Sequence, residues 1–185
     1  IVSQLPSGQR LSGVRAVGLS GDALEGRDVL AAREVLPADA RIIHRYSMSE
    51  AGMVARDVLT VTTPIVHDPI PPGFVAPGKR VRILDEHGSP AGAGEFGEVC
   101  VDLEGCAAGY WRNGLLEPLP AIPDPDEPGR SLYRSGDAGR LGPDGRLELA
   151  GRQDHRVKIR GYRVEMPAVE RALRDLDCVR DAAVS

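Results

Sequence analysis

The chain has 185 residues, of which 42% are hydrophobic but only 4% aromatic, so a sizeable core must be built mainly from aliphatic side chains. Its net charge is -4, with acidic and basic residues interspersed, which excludes the basic stripe of a nucleic-acid-binding protein and the basic amphipathic helix of a membrane-surface protein. No apolar run approaches the roughly 20 residues that span a bilayer, so we expect a cytoplasmic protein with neither a nucleic-acid nor a membrane partner.

The N-terminal third predicts a parallel βαβ unit. Residues 14–19 are an apolar run that ends in a Ser-Gly-Asp turn, and residues 27–36 carry apolar side chains at helical spacing before Pro37. Residues 41–46 predict a second strand. Ligands of such sheets bind at the carboxyl ends of the strands, which makes residues 20–22 and the segment after Tyr46 candidates for a binding site.

The middle of the chain predicts a different architecture. Short β-like runs at 79–84, 97–103 and 147–149 are separated by Pro and Gly, and residues 85–88 and 143–145 are typical of hairpin turns. We expect an α/β core over residues 1–66, followed by a small β-barrel-like subdomain over residues 67–150. Residues 117–130, rich in Pro and acidic side chains, predict a mobile loop.

The C-terminal region predicts the truncated start of a small α+β domain over residues 156–185, joined by a hinge at residues 151–155. Residues 157–164 predict strand, turn and strand, residues 166–176 an amphipathic helix, and residues 178–184 a further strand. The expected fold class is therefore α/β plus β, comprising the end of a parallel-sheet βαβ subdomain, the barrel-like subdomain and this small domain.

Neither the cysteines nor the N-terminus indicates secretion. Cys100, Cys106 and Cys178 fit no metal-ligand spacing, and we expect them to be reduced, buried and structural. The first residues lack the charged and apolar regions of a signal peptide. The chain begins without Met, so we expect it to be a piece of a longer polypeptide.

Residues 46–50, Tyr-Ser-Met-Ser-Glu, place three useful groups at the end of a strand. The ring of Tyr46 can stack on a base, a serine hydroxyl can donate to a phosphate oxygen, and the carboxylate of Glu50 can hold Mg²⁺ beside a triphosphate. A polar turn with an N-cap serine explains the same residues equally well. The segment alone therefore leaves both interpretations open.

Two later segments also suit a nucleotide. Residues 133–137, Tyr-Arg-Ser-Gly-Asp, present a carboxylate that can bind both hydroxyls of a ribose, although an ordinary turn is the alternative. Residues 151–165 alternate charged and apolar side chains, which predicts an edge strand but does not explain an Arg-x-Asp at a domain junction. Residues 97–99 and 109–111, Gly-Glu-Val and Gly-Tyr-Trp, are interpreted as hairpin glycines and core aromatics without a catalytic role.

In their order, these segments resemble the ANL family of acyl-adenylate-forming enzymes: acyl-CoA synthetases, luciferases and the adenylation domains of nonribosomal peptide synthetases. Residues 151–165 match the family's Gly-Arg-x-Asp-x-x-Val-Lys-Ile-Arg-Gly-x-Arg-Val-Glu block at every fixed position, and Tyr-Arg-Ser-Gly-Asp lies just upstream. The resemblance covers nearly the whole chain. It implies an ATP- and Mg²⁺-dependent ligase that converts a carboxylic acid into acyl-AMP and pyrophosphate and then passes the acyl group to a thiol.

The resemblance implies roles around the base and the phosphates. Ser49 would contact the α-phosphate, and Glu50 would bind Mg²⁺. The residues expected at the adenine are Ser20, Gly21, Asp22 and, as the stacking ring, Tyr46.

It also implies roles around the ribose and at the domain junction. Asp137 would bind the ribose hydroxyls with help from Arg152. Asp154 would be the hinge about which the small domain rotates. Lys158 and Gly161 would face the site in the second, thioester-forming state.

Three residues depart from the family's pattern. Ser47 stands where Gly is usual and adds a Cβ where the backbone passes close to the ligand. Ser49 replaces Thr but keeps the hydroxyl. His44 replaces Asn or Gln, and an imidazole can still form a hydrogen bond while its charge varies near pH 6.5.

Two of the family's motifs do not occur in this chain. The phosphate loop that ends in a lysine normally lies upstream of these residues, and the family's catalytic lysine lies beyond the chain's end, so we assign no catalytic residue here. Both groups would neutralise charge that develops at the phosphate and the carboxylate. We therefore expect these residues alone to bind ATP weakly and to form no adenylate.

Within the family, the texture of residues 123–134 and 154–158 favours a peptide-synthetase adenylation domain, which would use an amino acid and a phosphopantetheinyl carrier domain. Residues 46–50 are closer to a free-standing acyl-CoA synthetase, whose acceptor would be CoA. A degenerate, non-catalytic member that only binds a partner protein is a further alternative. Residues expected near the acyl pocket are Arg45, Met53 and Val54, and an Arg45 that faced the pocket would favour an acidic substrate.

Overall fold

The computed structural model describes residues 10–153, 156–159, 162–176, 178–179, 182 and 184. These residues contain two helices, α1 (Gly26–Val35) and α2 (Met166–Arg174). The strands are β1 (Ala16–Ser20), β2 (Arg41–Met48), β3 (Gly52–Thr60), β4 (Gly73–Val75), β5 (Val81–Leu84), β6 (Gly97–Asp102), β7 (Gly109–Arg112), β8 (Leu115–Pro118), β9 (Ala121–Pro123), β10 (Ser131–Leu141), β11 (Arg146–Arg152), β12 (Arg156–Ile159) and β13 (Tyr162–Glu165).

One mixed sheet organises most of the chain. Its nine strands follow the order β1-β2-β3-β4-β11-β10-β6-β5, with β9 paired to β10. Only the β1–β2 pair is parallel among the described pairs of this sheet. The hairpins β7–β8 and β12–β13 form two separate small sheets.

The parallel βαβ unit is confirmed by β1, α1 and β2, with Ser20 and Arg45 in register at the carboxyl ends of the two strands. The strands expected in a barrel-like subdomain continue the same sheet, because the short β4 pairs with β3 on one side and with β11 on the other. The path of described strands runs openly from β1 to β5 and does not close into a barrel. The strand β3 had no counterpart in the sequence analysis.

Helix α1 covers one end of the sheet. A capping box starts it, in which the backbone N–H of Glu25 donates to Asp28 Oδ2 at 3.0 Å. Its buried side chains, Val29 and Ala32, pack with Ile42 of β2 in an aliphatic core. Burying these aliphatic side chains fixes the helix against the strands that carry the cleft described below.

A second core lies where β2 and β3 meet the β6–β10–β11 strands, and it includes Tyr46, Val54, Val99, Val101 and Leu147. Close packing at this point requires glycine, because a Cβ on Gly97 would lie 2.3 Å from the carbonyl oxygen of Leu84. This core joins the βαβ unit to the antiparallel strands and so places their loop ends side by side.

The segment 117–130, predicted to be a loop, contains strand β9. Its acidic residues are held by arginines of the sheet: Arg82 Nη2 donates to Glu127 Oε1 at 2.9 Å, and the same carboxylate also contacts Arg80 and Arg130. Asp124, buried, lies 3.5 Å from Arg82 Nε. The acidic composition that suggested a mobile loop therefore reflects in part the pairing of Asp124 and Glu127 with arginines.

The C-terminal predictions are confirmed in part. The strands β12 and β13 and the helix α2 lie where the sequence predicted them. Between 178 and 184, the described residues 178, 179, 182 and 184 lie in no strand. No described helix has both the length and the apolar character needed to cross a membrane.

The cysteines form no disulfide, as predicted. Cys100 is buried, and burial raises the pKa of its thiol to about 12. Cys106 is only half-buried and Cys178 is exposed, so the prediction of three buried cysteines was wrong for these two.

Candidate functional site

The ends of β1 and β2 meet the middle of β10 and the end of β11 at a cleft of about 390 Å³. The parallel pairing of β1 with β2 brings their carboxyl ends to one edge of the sheet, which is where ligands of such sheets bind. The residues that line this cleft are Ser20, Gly21, Ser47, Met48, Ser49, Glu50, Tyr133, Ser135, Asp137 and Arg152.

The carboxylate of Asp137 is at the centre of the first cluster. The Tyr46 hydroxyl donates to its Oδ2, and Arg152 Nη1 donates to its Oδ1 at 2.8 Å. Arg152 Nη2 also donates to the carbonyl oxygen of Ser135 at 3.1 Å. An ionised carboxylate has about four acceptor positions, so these two contacts leave capacity for the hydroxyls of a ligand.

Burial raises the pKa of the Tyr46 phenol, and the negative charge of Asp137 and their hydrogen bond raise it further. Tyr46 therefore stays a protonated donor at neutral pH. Only 6% of Tyr46 is exposed, because most of the residue packs in the second core. A stacking role would use the part of the ring that borders the cleft described next.

A second, larger cleft of about 870 Å³ adjoins the first. It is lined by Gly21, Ser47, Asp137 and Arg152, which also line the first cleft, and by Tyr46. Further residues around it include Asp22, His44, Arg45, His67, Pro69 and Phe96. Because these lining residues are shared, the two clefts form one continuous concave surface.

At the end of β1, the hydroxyl oxygens of Ser20 and Ser47 lie 2.6 Å apart, within hydrogen-bonding distance. Ser47 is the residue that departs from the family's glycine, and its hydroxyl ties the end of β2 to the end of β1. Gly21 follows with φ 109°, a conformation that side-chain-bearing residues rarely adopt. Ser20, Gly21 and Asp22 thus lie at the clefts, as the sequence predicted from the strand end.

A second carboxylate, Glu50, is buried at the other side of the first cleft. The Tyr110 hydroxyl donates to Glu50 Oε1 at 2.9 Å, and the hydroxyl oxygens of Tyr110 and Tyr133 are 3.3 Å apart. The Ala107 N–H donates to the Glu50 carbonyl oxygen at 2.6 Å. Burial, the Tyr110 hydrogen bond and the Glu50 charge raise the pKa of Tyr133.

The sequence analysis gave Tyr110 no role in a site, and the structure places it directly on Glu50. The β7–β8 hairpin brings the two residues together although they are 60 positions apart in the chain. Nothing in the local pattern of residues 109–111 points to Glu50. Only the path of the hairpin could reveal the contact.

One donor in the first cleft, the buried carboxylate of Glu50, is of the kind that binds Mg²⁺. Within the part of the chain that the structure describes, no group of three or more His, Cys, Asp or Glu side chains is arranged to hold a metal ion. Mg²⁺ is commonly bound through one or two carboxylates, phosphate oxygens and water. The Glu50 carboxylate could supply that single protein ligand.

His44 is buried under the larger cleft, and its Nδ1 lies 3.2 Å from the carbonyl oxygen of Pro71. Burial lowers the pKa of this imidazole, although the Pro71 contact and the charge of Asp57 oppose the shift. We therefore assign a neutral ring whose Nδ1–H donates to Pro71. The pKa of His44 thus lies below 6.5, the pH near which its charge was expected to vary.

The three residues expected near an acyl pocket lie in different surroundings. Arg45 is exposed and lines the larger cleft. Met53 is half-buried, and neither it nor Val54 lines the two clefts described above. Val54 is 0% exposed in the second core, so it has no surface available to a ligand in this structure.

Of the remaining predicted site residues, two are described by the structure and two are not. Ser49 is exposed in the turn after β2 and lines the first cleft. The backbone of Lys158 lies in strand β12. Asp154 and Gly161 lie outside the described residues, so the hinge and the second-state positions stay predictions.

Comparison with known proteins identifies relatives of this chain in sequence and in fold. The sequence model of the family described as "AMP-binding enzyme" matches residues 2–111. Tyrocidine synthase 3 of Brevibacillus parabrevis is 37% identical over 145 residues, which cover 78% of this chain and 2% of that protein. Gramicidin S synthase 1 of Brevibacillus brevis is 36% identical over 143 residues, which cover 77% of this chain and 13% of that protein. This chain thus spans a small part of each relative.

Two solved structures share the fold. The crystal structure of IdnL1 superposes with a TM-score of 0.82 at 30% identity, over 95% of this chain and 36% of that one. PA1221, an NRPS protein containing adenylation and PCP domains, superposes with a TM-score of 0.75 at 30% identity, over 92% of this chain and 35% of that one. The match of the family model over more than half of the sequence shows that this chain belongs to the AMP-binding enzymes.

Proposed function

We propose that this chain is part of an ATP-dependent acyl-adenylate-forming ligase, and specifically of a peptide-synthetase adenylation domain. The observation that carries the proposal is the Asp137 carboxylate, held between Tyr46 and Arg152, in the same cleft as the buried carboxylate of Glu50. One carboxylate suits a ribose diol and the other suits a magnesium ion beside phosphates.

The proposed reaction is an in-line attack of a substrate carboxylate oxygen on the α-phosphorus of Mg·ATP. The new bond joins the acyl oxygen to phosphorus, and the bond to the β-phosphate oxygen breaks, so the products are acyl-AMP and pyrophosphate. Mg²⁺ would compensate charge on the phosphate oxygens. In the second step a thiol attacks the acyl carbon, AMP leaves, and the thiol proton is released.

The residues of the clefts would divide the nucleotide among them. Asp137 would accept hydrogen bonds from the ribose hydroxyls. Arg152, which donates to Asp137 Oδ1, would hold that carboxylate in place. Glu50 would bind Mg²⁺, and the exposed Ser49 hydroxyl would donate to the α-phosphate. The residues proposed for the adenine are Ser20, Gly21, Asp22 and Tyr46.

The electrostatics support this division. Tyr46 is kept protonated by its raised pKa, so it donates a hydrogen bond to Asp137. Arg152 compensates part of its charge from one side. An oriented carboxylate of this kind is better placed for a neutral diol than for a second anion, which suits the sugar and not the phosphates.

The domain arrangement proposed from the sequence is retained. Residues 1–66 and 67–150 would belong to a large domain, 151–155 to a hinge at Asp154, and 156–185 to a small domain. Rotation about the hinge would bring Lys158 and Gly161 toward the site for thioester formation. Support comes from Arg152, the last residue of β11, which ties the chain to Asp137 and Ser135 shortly before Asp154.

The acceptor thiol is proposed to be a phosphopantetheinyl carrier domain and the acid an amino acid. The support is the kind of protein this chain is similar to, since PA1221 is an NRPS protein that contains adenylation and PCP domains. The ligase-like segment 46–50 favours a second candidate, a free-standing synthetase that uses CoA.

ATP–pyrophosphate exchange tests the proposal on the protein at its natural length, with panels of amino, fatty and aryl acids. We expect exchange with one amino acid, and its loss in the Asp137→Ala variant. Exchange only with a non-amino acid would move the function to the CoA-dependent branch. No exchange with any acid, in protein shown to be folded, would contradict an adenylating function.

A further inference from the structure

The turn that carries Asp137 interrupts a pair of strands. Strand β10 pairs with β6 through Arg134 and Cys100 and again through Ala138 and Glu98, with a register shift between the two positions. Residues 135–137 therefore leave the β6 ladder in a bulge, while Asp137 stays paired with Arg152 of β11. From the β11 side, the Gln153 N–H donates to the Gly136 carbonyl oxygen at 2.8 Å. On the β6 side the pairing is interrupted, so a side-chain contact is needed to connect the bulge to that strand.

A single carboxylate fills this interruption. Glu98, at 5% exposed, accepts a hydrogen bond on Oε1 from the Gly136 N–H at 2.9 Å. Its Oε2 accepts one from Arg134 Nε at 2.6 Å, and Arg134 Nη2 also contacts that oxygen. One side chain of β6 thus holds both Arg134, the residue before the bulge, and the N–H of Gly136, the residue immediately before Asp137.

We propose that Glu98 is a positioning residue that sets the 135–137 bulge so that the Asp137 carboxylate meets both ribose hydroxyls. This inference rests on the proposed function, because it requires Asp137 to be the ribose ligand. The strength with which a carboxylate binds two hydroxyls depends on the orientation of the carboxylate group as well as on its charge. The Gly136 N–H that Glu98 holds belongs to the residue next to Asp137, so a displacement there is passed to the carboxylate directly.

The backbone conformation of the bulge also indicates that a contact from outside the bulge helps to fix its shape. Gly136 adopts φ 77°, which only glycine takes up readily, so the local sequence permits this backbone but also permits others. The Ser135 hydroxyl accepts from the Asp137 N–H at 3.0 Å and closes the turn from within. Glu98 connects this turn to β6, and the Arg152 contact with the Ser135 carbonyl oxygen connects it to β11.

Strand β6 offers a matched control. Asp102 lies at the other end of β6, is also 5% exposed, accepts from Arg130 Nη1 at 2.7 Å, and accepts a backbone N–H from Glu104. It therefore has the same kinds of partner as Glu98 but does not contact residues 135–137. Removing either carboxylate removes an ion pair between a buried carboxylate of the same strand and a partly exposed arginine, and only one removal affects the bulge.

The experiment compares binding of AMP and 2′,3′-dideoxy-AMP to the natural-length protein by titration calorimetry. The readout is the ratio of the two Kd values, which isolates the ribose hydroxyls from the base and the phosphate. For Glu98→Ala we expect Kd for AMP to rise about tenfold while Kd for the dideoxy nucleotide changes little. Glu98→Gln keeps an acceptor for Gly136 but loses the charge facing Arg134, so it should lie between wild type and Glu98→Ala. Asp102→Asn should keep the wild-type ratio.

The possible outcomes distinguish a failure of the ribose role of Asp137 from a failure of the positioning role of Glu98. If the wild-type protein does not distinguish the two nucleotides, the ribose role of Asp137 fails, and the proposed function loses its main support. If the wild type distinguishes them and both Glu98 variants do so equally well, the positioning role is overturned. An equal loss of discrimination in Asp102→Asn would also overturn it, because the effect would then be general loosening of β6. If Glu98→Ala does not fold, Glu98→Gln supplies the comparison.

Discussion

Asp137 and Glu50 line the same cleft, and the contacts that the structure describes for the two carboxylates differ. On the β10–β11 side, Asp137 accepts from the guanidinium of Arg152 and from the phenol of Tyr46. On the β2–β3 side, Glu50 accepts from the phenol of Tyr110. A guanidinium both orients a carboxylate and compensates its charge, whereas a phenol orients a carboxylate without adding a positive charge.

A change at Asp137 should affect both the stability of the fold and ligand binding, whereas a change near Glu50 should affect mainly ligand binding. Asp137 connects β2, β10 and β11, because Tyr46 and Arg152 reach it from separate strands. Its loss should therefore disturb the fold as well as the ribose site. Tyr110 reaches Glu50 from the small β7–β8 hairpin, so a change there should act mainly on the carboxylate.

The largest effect is expected for Asp137→Ala. The substitution leaves the Tyr46 hydroxyl and the Arg152 guanidinium without their shared acceptor, and breaking a partly buried ion pair costs about 3 kcal/mol. We expect the free energy of unfolding to fall by about that amount and ribose-dependent binding of AMP to disappear. Chemical denaturation and calorimetry measure the two quantities.

Asp137→Asn is the matched control, since an amide keeps the size of the side chain and one acceptor oxygen. It should restore part of the stability and part of the ribose discrimination. Full stability together with full ribose binding in Asp137→Ala would show that this carboxylate does not unite the two functions.

A smaller effect that is confined to the metal is expected for Tyr110→Phe. This variant keeps the ring and removes only the hydroxyl that orients Glu50. Loss of a group that orients a metal ligand commonly weakens metal binding by about 10-fold, while the free energy of unfolding should change by only about 1 kcal/mol. The measurement is the Mg²⁺ concentration that gives half-maximal ATP binding, read by calorimetry.

Trp111→Ala controls for damage to the hairpin, because Trp111 is the next residue and is 73% exposed. It should leave the Mg²⁺ dependence at the wild-type value. If Trp111→Ala shifts the Mg²⁺ dependence as far as Tyr110→Phe does, the comparison between the two carboxylates is wrong at this point.

The smallest effect is expected for His44, which lies under the β2–β3 side. Burial lowers the pKa of His44 below its ordinary value of 6.5, so the unfolded chain takes up a proton at a higher pH than the folded chain does. The stability that the neutral ring contributes is present above pH 6.5 and is lost as the pH falls toward the folded pKa. Each tenfold difference in proton affinity between the folded and unfolded chains corresponds to a loss of about 1.4 kcal/mol.

His44→Asn should remove this part of the pH dependence. Denaturation from pH 7.5 to pH 5 should give a shallower fall in the free energy of unfolding for the variant than for the wild-type protein. Parallel curves would mean that His44 has the same pKa in both states.

Local patterns predicted the βαβ unit, the hairpin turns and helix α2, because apolar periodicity and turn residues are properties of neighbouring positions. They also drew attention to Tyr46, Glu50, Asp137 and Arg152, four residues that the structure places around one cleft or its border. Strand β9 was missed because residues 117–130 were interpreted as a loop, and Arg82, which pairs with Asp124 and Glu127, lies far away in the sequence.

The family and the residue types of the candidate site could be predicted from the sequence, because such motifs are read along the chain. The side chains that support these residues became visible only in the folded chain. Tyr110 meets Glu50 across 60 positions, and Glu98 meets Gly136 across 38. The physical reason is that a hydrogen bond depends on distance and angle in space, and the path of the sheet and its hairpins sets both.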